Sequence, residues 1–265
     1  MESTMQFACL GDSITSEQVT GIGTLVAQKL GVRLFGNFAC GYATCSDWAA
    51  AGRSITRITL TEPPNTNTDD NVLSNQVRRL LQAVTPEGER IVWRHPLAGE
   101  YALDASVGLG SAKVDAQGRV VTPDIIYIAI STNDGNHPCN AVFDDADAVL
   151  AQRYDELTRC GIASALRWTI ETLQCACPGA SIFVATPLQA VSDQMWMSYE
   201  ATRLKRDIIM RVCGTLGVKI IDSFCESGFT QLIAAGHGGV HPDELWKDRI
   251  AGYVAASIRA RCDIV

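Results

Sequence analysis

The sequence predicts an α/β fold in which a parallel sheet is covered by helices on both faces. Apolar runs of strand length recur along the chain, and the run at 124–130 is almost uninterrupted, as is typical of a central parallel strand. Segments with apolar residues at helical spacing separate these runs. Strands that alternate with helices favour parallel pairing, because each strand returns to the sheet through a crossover connection.

The first half of the chain predicts this alternation directly. Gly31 is a helix stop signal after an amphipathic segment, and a Pro- and Asn-rich stretch at 62–70 predicts a surface loop. In chain order, the expected elements are a strand at 5–10, a helix at 21–30, a strand at 32–35, a small-residue loop at 36–44, a short helix at 46–52 and a helix at 72–84.

Residues 86–122 interrupt the alternation. Short β-like pieces lie at 91–93, 101–103 and 119–121 among glycines and prolines, with a turn expected at 115–118. This segment predicts an inserted β-hairpin or small β-lobe.

The second half returns to regular α/β spacing. In order, the expected elements are a strand at 124–130, a helix at 146–175 with a break at Gly161, a strand at 181–185, a helix at 193–216, a strand at 218–222 and a closing helix at 245–261.

Composition limits the class of protein. The chain has 265 residues, 47 % of them hydrophobic and 19 % charged, which predicts one globular domain over 1–265. Its net charge of −7 argues against nucleic-acid binding, and the sequence has no apolar run long enough for a membrane span. No secretory signal is recognisable, and the ten cysteines lack a clear disulfide pattern, so we expect a cytoplasmic location. No feature predicts an oligomeric state.

A serine and a histidine carry the predicted chemistry. Ser13 follows Gly11-Asp12 directly after the first strand, at the sheet edge where α/β proteins bind ligands. His241 lies near the other end of the chain, in Val240-His241-Pro242. A serine hydroxyl next to an imidazole base is the arrangement used in nucleophilic acyl transfer.

Four sequence blocks together resemble the SGNH, or GDSL-type, hydrolases. They are Gly11-Asp12-Ser13-Ile14, the loop 37–44, Ser131-Thr132-Asn133-Asp134, and Val240-His241-Pro242. The resemblance extends from residue 5 to about 258.

The resemblance implies a flavodoxin-like, three-layer α/β/α fold with about five parallel strands. It also implies ester hydrolysis without a metal or organic cofactor. By resemblance, Ser13 is the nucleophile and His241 the general base. The oxyanion hole is formed by the backbone N–H of Ser13, a backbone N–H of Gly41 or its neighbour, and the side-chain amide of Asn133.

Two positions depart from the family pattern. The family places an aspartate three residues before the histidine, where this chain has Gly238, and the glycine of the second block lies one position early, at Gly41. We therefore expect a Ser13–His241 dyad whose imidazole N–H is held by main chain, with the Gly238 carbonyl as a possible acceptor. The alternatives are three nearby carboxylates, Asp222, Asp243 and Glu244.

The function expected from the sequence is a serine esterase that removes acetyl or other short acyl groups from a small molecule or glycan. One alternative is a degenerate carbohydrate-binding module, favoured by Gly238 and opposed by the presence of Ser13, Asn133 and His241. The other is a lipase or thioesterase of the same fold. Without the other blocks, Ser13 would be interpreted as a helix N-cap and Asn133 as a turn residue.

Overall fold

A central sheet of five parallel strands organises the protein, as seen in a computed structural model that describes residues 5–16, 21–47, 72–103, 108–136 and 142–262. The strand order is β2-β1-β5-β6-β7, and a separate antiparallel pair is formed by β3 and β4. The strands are β1 (Gln6–Gly11), β2 (Arg33–Asn37), β3 (Val92–His95), β4 (Gly99–Ala102), β5 (Ile125–Ala129), β6 (Ser181–Ala185) and β7 (Lys219–Ile221).

Helices cover both faces of the sheet. They are α1 (Ser13–Ser16), α2 (Ile22–Leu30), α3 (Leu73–Val84), α4 (Ala146–Ala151), α5 (Ile162–Ala176), α6 (Tyr199–Thr215), α7 (Ser223–Glu226), α8 (Gln231–Gly236) and α9 (Glu244–Arg259). One apolar core joins the sheet to α3, α5 and α6, and a second joins it to α2 and α9. The three-layer α/β/α fold predicted from the sequence is confirmed.

The sheet register brings the chemistry-bearing loops to one edge. β1 pairs with β5 from Phe7 opposite Ile125 to Gly11 opposite Ala129, so both strands end at the same level. Because all five strands are parallel, the segments that follow Gly11, Asn37 and Ala129 leave the sheet at its carboxyl edge. These segments are the first three of the four sequence blocks.

The predicted long helix at 146–175 is two helices. α4 ends at Ala151, and the guanidinium of Arg167 in α5 donates to the carbonyls of Val149 and Gln152 at 2.6 and 2.8 Å. α5 begins directly after Gly161, where the break was predicted. Hydrogen bonds from a buried arginine to the last carbonyls of the preceding helix leave no mark in the hydrophobic periodicity. For this reason the gap between α4 and α5 is longer than the sequence predicted.

Smaller differences occur elsewhere. The helix expected from 193 begins at Tyr199, after a 3₁₀ turn at Met195–Met197. The short helix expected at 46–52 lies mostly outside the described residues, and 46–47 are not helical. The short helices α1, α7 and α8 were not predicted, because four to six residues are too few for periodicity to register.

The insertion contains the expected hairpin. β3 and β4 pair antiparallel, and Trp93 and Tyr101 stack across them with ring centroids 5.8 Å apart. Trp93 also meets the edge of Trp168 on α5, so the hairpin packs against that helix. The turn at 115–118 is present, but the strand expected at 119–121 is a single bridge between Val114 and Val120.

No helix in the described ranges combines the length and the apolar character needed to cross a membrane. The nine cysteines in those ranges are free thiols.

Candidate active site

Ser13 begins a helical turn directly after β1. The carboxylate of Asp12 accepts the N–H of Ile14 at 3.1 Å, and its main-chain carbonyl accepts those of Thr15 and Ser16. Asp12 therefore acts as the helix N-cap, the role that Ser13 would be assigned if the other sequence blocks were ignored. The hydroxyl of Ser13 is left free for another partner.

That partner is His241. Ser13 Oγ lies 2.8 Å from His241 Nε2, a hydrogen bond between residues 228 positions apart in sequence. The contact is solvent-accessible and lies at the carboxyl edge of the sheet. The two residues that the sequence selected from opposite ends of the chain are in direct contact.

A buried glutamine fixes the strand end that carries Ser13. Gln76 on α3 accepts the N–H of Gly11 and donates to its carbonyl, both at 2.8 Å. A side chain at position 11 would be obstructed, because a Cβ there would lie 2.3 Å from the Ala129 carbonyl oxygen. Gly11 is thus required for close packing against β5, and Gln76 occupies both of its main-chain groups.

The second block is hydrogen-bonded to the segment that contains Ser13. Asn37 donates to the carbonyl of Thr15 at 3.2 Å, and Cys40 N–H donates to Gly11 O at 3.0 Å. Tyr42 follows with a left-handed backbone (φ 61°) and a largely exposed ring. In the described part of the protein, the N–H groups of Ser13 and Gly41 have no acceptor, so both are free to bind a ligand.

The third block contributes an amide. Asn133 is 6 % exposed, and its Nδ2 donates to the Ala43 carbonyl at 3.1 Å. One N–H of this amide is thereby engaged, and the other is available. The contact also ties the third block to the second block, next to Gly41.

Asp134 holds the second block from below. Its carboxylate is fully buried and accepts the N–H groups of Cys45 at 2.8 Å and Ser46 at 2.9 Å, as well as the Ser46 hydroxyl. Asp134 is therefore a structural support of the loop.

The loop before His241 differs from the arrangement we expected. The Gly238 carbonyl accepts the main-chain N–H of His241 at 3.2 Å and does not bind its ring. Gly238 has a φ of 101°, and a Cβ there would lie 2.0 Å from the His241 carbonyl oxygen. The expectation that Gly238 holds the imidazole N–H is therefore corrected: Gly238 shapes the main chain that carries His241.

The three candidate carboxylates are engaged elsewhere. Asp222 receives Thr186 and Arg206, and Glu244 contacts Lys247. Asp243 caps α9 through the N–H of Trp246 and contacts Nδ1 of His237 at 2.7 Å. Within the described ranges, Nδ1 of His241 has no hydrogen-bond partner.

Asp12, next to Ser13, is a buried carboxylate. Asp12 is 2 % exposed, and burial raises its pKa, while hydrogen bonds from Thr132 and Ile14 and the charge of His241 oppose that shift. Sequence reasoning gave Asp12 no chemical role, since an acid after a strand is commonly a turn or cap residue. The burial of Asp12 becomes visible only in three dimensions.

A pocket adjoins the serine turn. Its lining includes both sequence neighbours of Ser13 and the ends of β5 and β6, and it is mainly apolar. Among the lining residues are Asp12, Ile14, Ile130, Thr132, Pro187 and Leu188. The pocket therefore belongs to the same edge of the sheet as the Ser13–His241 contact.

Other candidate residues are placed as follows. His95 contacts Glu171 and stacks on Tyr154 beneath the hairpin, a structural position. His237 follows α8 as a partly exposed loop residue, and its Nδ1 contacts Asp243. His137 and Trp48 lie outside the described residues. No group of metal-ligating side chains is found among the residues that the structure describes.

Comparisons with known proteins agree on the fold. No protein-family model matches the sequence, and no curated protein matches it. Among solved structures, a carbohydrate acetylesterase from Sinorhizobium meliloti superposes with a TM-score of 0.52 at 12 % identity, covering 97 % of this chain and 99 % of that one. A lipase/acylhydrolase from Enterococcus faecalis gives a TM-score of 0.53 at 13 % identity, covering 97 % of each chain.

A longer protein is also similar. A carbohydrate esterase family 2 enzyme with a carbohydrate-binding domain, from Corynascus thermopiles (Myceliophthora fergusii), gives a TM-score of 0.54 at 17 % identity. The alignment covers 97 % of this chain and 66 % of that one. At these identities the likeness establishes the fold alone, the three-layer α/β/α arrangement described above.

Proposed function

We propose that this protein is a serine esterase that hydrolyses short acyl esters, acetyl esters of carbohydrates in particular. The observation that carries the proposal is the 2.8 Å contact between Ser13 Oγ and His241 Nε2. The N–H groups of Ser13 and Gly41, which have no acceptor among the described residues, and the second N–H of the Asn133 amide support it.

In the first half-reaction, the Ser13 hydroxyl donates its proton to His241 Nε2 as Oγ attacks the ester carbonyl carbon. Negative charge then develops on the carbonyl oxygen, and the N–H groups of Ser13, Gly41 and Asn133 stabilise it. As the tetrahedral intermediate collapses, the imidazolium returns the proton to the departing alkoxide. The alcohol leaves, and Ser13 carries the acyl group.

In the second half-reaction, His241 accepts a proton from water, and the resulting hydroxide attacks the acyl-enzyme at the same oxyanion hole. Collapse returns the proton to Ser13 Oγ and releases the acid. The imidazolium forms in both halves without a carboxylate on Nδ1 among the described residues. The chemistry is that of a dyad.

The carbohydrate assignment is drawn from the similar structures, two of which are carbohydrate esterases. The polar, glycine-containing loops around Ser13 agree with a substrate rich in hydroxyl groups.

A non-catalytic carbohydrate-binding module is the second candidate. The specific observation in its favour is the lack of an acid partner for His241 Nδ1 among the described residues. Removing the acid from a triad costs several orders of magnitude when the wrong tautomer results. The maintained Ser13–His241 contact argues for catalysis.

A serine-directed phosphonate tests the proposal. Incubation of the native protein should add one phosphonyl group, and peptide mass spectrometry should locate it on Ser13. The urea-unfolded protein should not react, because an unassisted hydroxyl is a poor nucleophile. A Ser111→Ala variant in the insertion is the matched serine control and should label like the wild type.

An ester series assigns the substrate class in the same preparation. We expect acetylated sugars and a chromogenic acetate to be hydrolysed faster than octanoyl esters or thioesters. Preference for the octanoyl ester would favour a lipase. Absence of both labelling and turnover, with sugar binding retained, would favour the binding module.

Restoring the family aspartate at position 238 should impair the protein. We expect Gly238→Asp to lower kcat by about 10- to 100-fold, because a Cβ there collides with the His241 carbonyl and displaces the base. The φ of 101° adds backbone strain to any non-glycine residue. Steady-state kinetics on the acetate ester measure the loss.

Gly238→Ala distinguishes the steric effect of a Cβ from the effect of the carboxylate charge, because it introduces the same Cβ without the carboxylate. The two variants should be impaired to a similar degree. An aspartate variant faster than wild type would show that the loop accepts a triad acid and would contradict the geometry described here.

A further inference from the structure

Lys205 is a fully buried lysine that joins the third sequence block to the Met195–Met197 turn. It lies on α6, and its Nζ donates to the carbonyl of Thr132 at 3.1 Å and to that of Trp196 at 2.8 Å. A buried ammonium is costly unless it is paired and hydrogen-bonded. Its placement beneath the loop that carries Asn133 therefore calls for an explanation beyond packing.

The segment that Lys205 holds is strained. Ser131 has a φ of 99°, a conformation that non-glycine residues rarely adopt, and its hydroxyl is buried without a partner in the described part of the protein. Such a backbone persists only where its surroundings fix it. The loop begins directly after Ile130, so its strain sets the direction in which Asn133 leaves the sheet.

Thr132 is fixed through three of its polar groups. Its N–H donates to the Asp12 carboxylate at 3.4 Å, its hydroxyl also bonds Asp12, and its carbonyl receives Lys205. Asp12 precedes the proposed nucleophile, and Asn133 follows Thr132. One residue thus links the serine turn to the amide, and Lys205 is its anchor on the helical layer.

The second hydrogen bond of Lys205 is to the Trp196 carbonyl, in the segment that follows β6. Trp196 packs on Gly135, where a Cβ would lie 2.7 Å from the Trp196 Cβ. By binding the Trp196 carbonyl, Lys205 keeps the Met195–Met197 turn against the end of the same loop. Two segments that approach from different strands are joined through one ammonium.

We propose that Lys205 is a positioning residue for catalysis, whose ammonium holds the strained Ser131–Thr132 backbone so that Asn133 presents its amide to the oxyanion. This inference rests on the proposed esterase function. The charge matters because a charge-assisted hydrogen bond is roughly twice as strong as a neutral one. A neutral amine still donates to both carbonyls, but it holds them less firmly.

The ammonium can lose its proton in an accessible range. Burial lowers the pKa of Lys205 to about 8, while the carboxylates of Asp134 and Asp12 act in the opposite direction. Other charged groups on α6 and on the elements that pack against it form ion pairs. These pairs are Asp147–Arg211, Arg167–Glu171 and Arg206–Asp222.

Activity and stability should therefore respond to pH in opposite directions. Because the pKa of Lys205 is lower in the folded state than in the unfolded state, its burial is unfavourable below pH 8, and that cost is relieved as pH rises. The contribution of Lys205 to the free energy of unfolding thus increases from pH 8 to about 10.5, while kcat declines with a midpoint near pH 8. Alkaline denaturation would lower both together.

The test compares wild type, Lys205→Met and Lys219→Met on the acetate ester between pH 6 and 10, after subtraction of spontaneous hydrolysis. Methionine fills a similar volume and removes the donor to the Thr132 and Trp196 carbonyls. We expect Lys205→Met to lower kcat by about 10- to 100-fold with KM nearly unchanged, and to lack the decline near pH 8. Lys219, which contacts Ser181 at the start of β6, is the matched control and should behave as wild type.

A double-mutant cycle with Asn133→Ala locates the effect. If Lys205 acts through the amide, the second substitution should add little once the first is present. Additive losses, or a Lys205→Met variant that keeps both wild-type kcat and the alkaline decline, would overturn the proposal. Should that variant fail to fold, a wild-type profile without a decline near pH 8 would overturn it equally.

Hydrogen exchange separates this inference from the esterase proposal. Amides of 131–134 should exchange faster in Lys205→Met than in wild type or Lys219→Met, whether or not the protein turns over esters. Lack of wild-type turnover would refute the esterase proposal alone. Unchanged exchange together with normal turnover would refute the role of Lys205 alone.

Discussion

Replacing Ser13 with alanine should lower kcat on an acetate ester by a factor on the order of 10⁴ to 10⁶. The hydroxyl is the group in contact with His241 Nε2, and the substitution leaves the base without a proton to accept. Asp12 supplies the cap of α1, so the turn should survive the change and KM should move little. Initial rates with burst-phase detection of the acyl-enzyme measure both effects.

The companion variant is His241→Ala, which should cost nearly as much. Serine and histidine act as one unit, so the double variant should be about as slow as either single variant. Losses that multiply would indicate that the two residues act independently. An alanine variant at Ser13 that retains a tenth of wild-type kcat would place the nucleophile elsewhere.

Asn133→Ala should give the next largest loss, about 100- to 1,000-fold in kcat, with KM nearly constant. The amide is held by Ala43, so its remaining N–H is fixed before substrate arrives, and charge on the oxyanion develops only in the transition state. Saturation kinetics that separate kcat from KM are the measurement.

Asn133→Asp is the isosteric control, because it keeps the shape and replaces a donor with a carboxylate. It should be at least as slow as the alanine variant, since it repels the oxyanion and the Ala43 carbonyl. A fall in kcat/KM that resides entirely in KM would assign Asn133 to ground-state binding. The free energy of unfolding, measured in urea, shows whether the loop has collapsed.

The sheet was predictable because its strands are buried on both faces and therefore appear as continuous apolar runs. The strand at Ser181–Ala185 matches its predicted bounds, and the break at Gly161 lies where the sequence placed it. The two helix bounds that were wrong have different causes. The end of α4 is set by a tertiary contact with Arg167 of the following helix, whereas α6 begins at a local cap, where the Ser198 hydroxyl accepts the N–H of Ala201.

The site was predictable where chemistry restricts residue type. Ser13, His241 and Asn133 carry groups that few side chains supply, and the sequence placed each of them at a strand end or before the last helix. Gln76 and Lys205 could not be found in the same way, because they act on main-chain atoms that the sequence does not distinguish. The role of Gly238 depends on its positive φ, which a glycine permits but which the presence of a glycine in the sequence does not predict.

The distance of 228 residues between Ser13 and His241 has a consequence for biosynthesis. The ribosome delivers the amino end first, so the proposed nucleophile and the segments that carry Gln76 and Asn133 are made before the proposed base. His241 lies just before α9, which packs against α2. Under the proposed function, a nascent polypeptide that lacks this last part of the chain has a serine without its base, and catalysis begins only after α9 has docked.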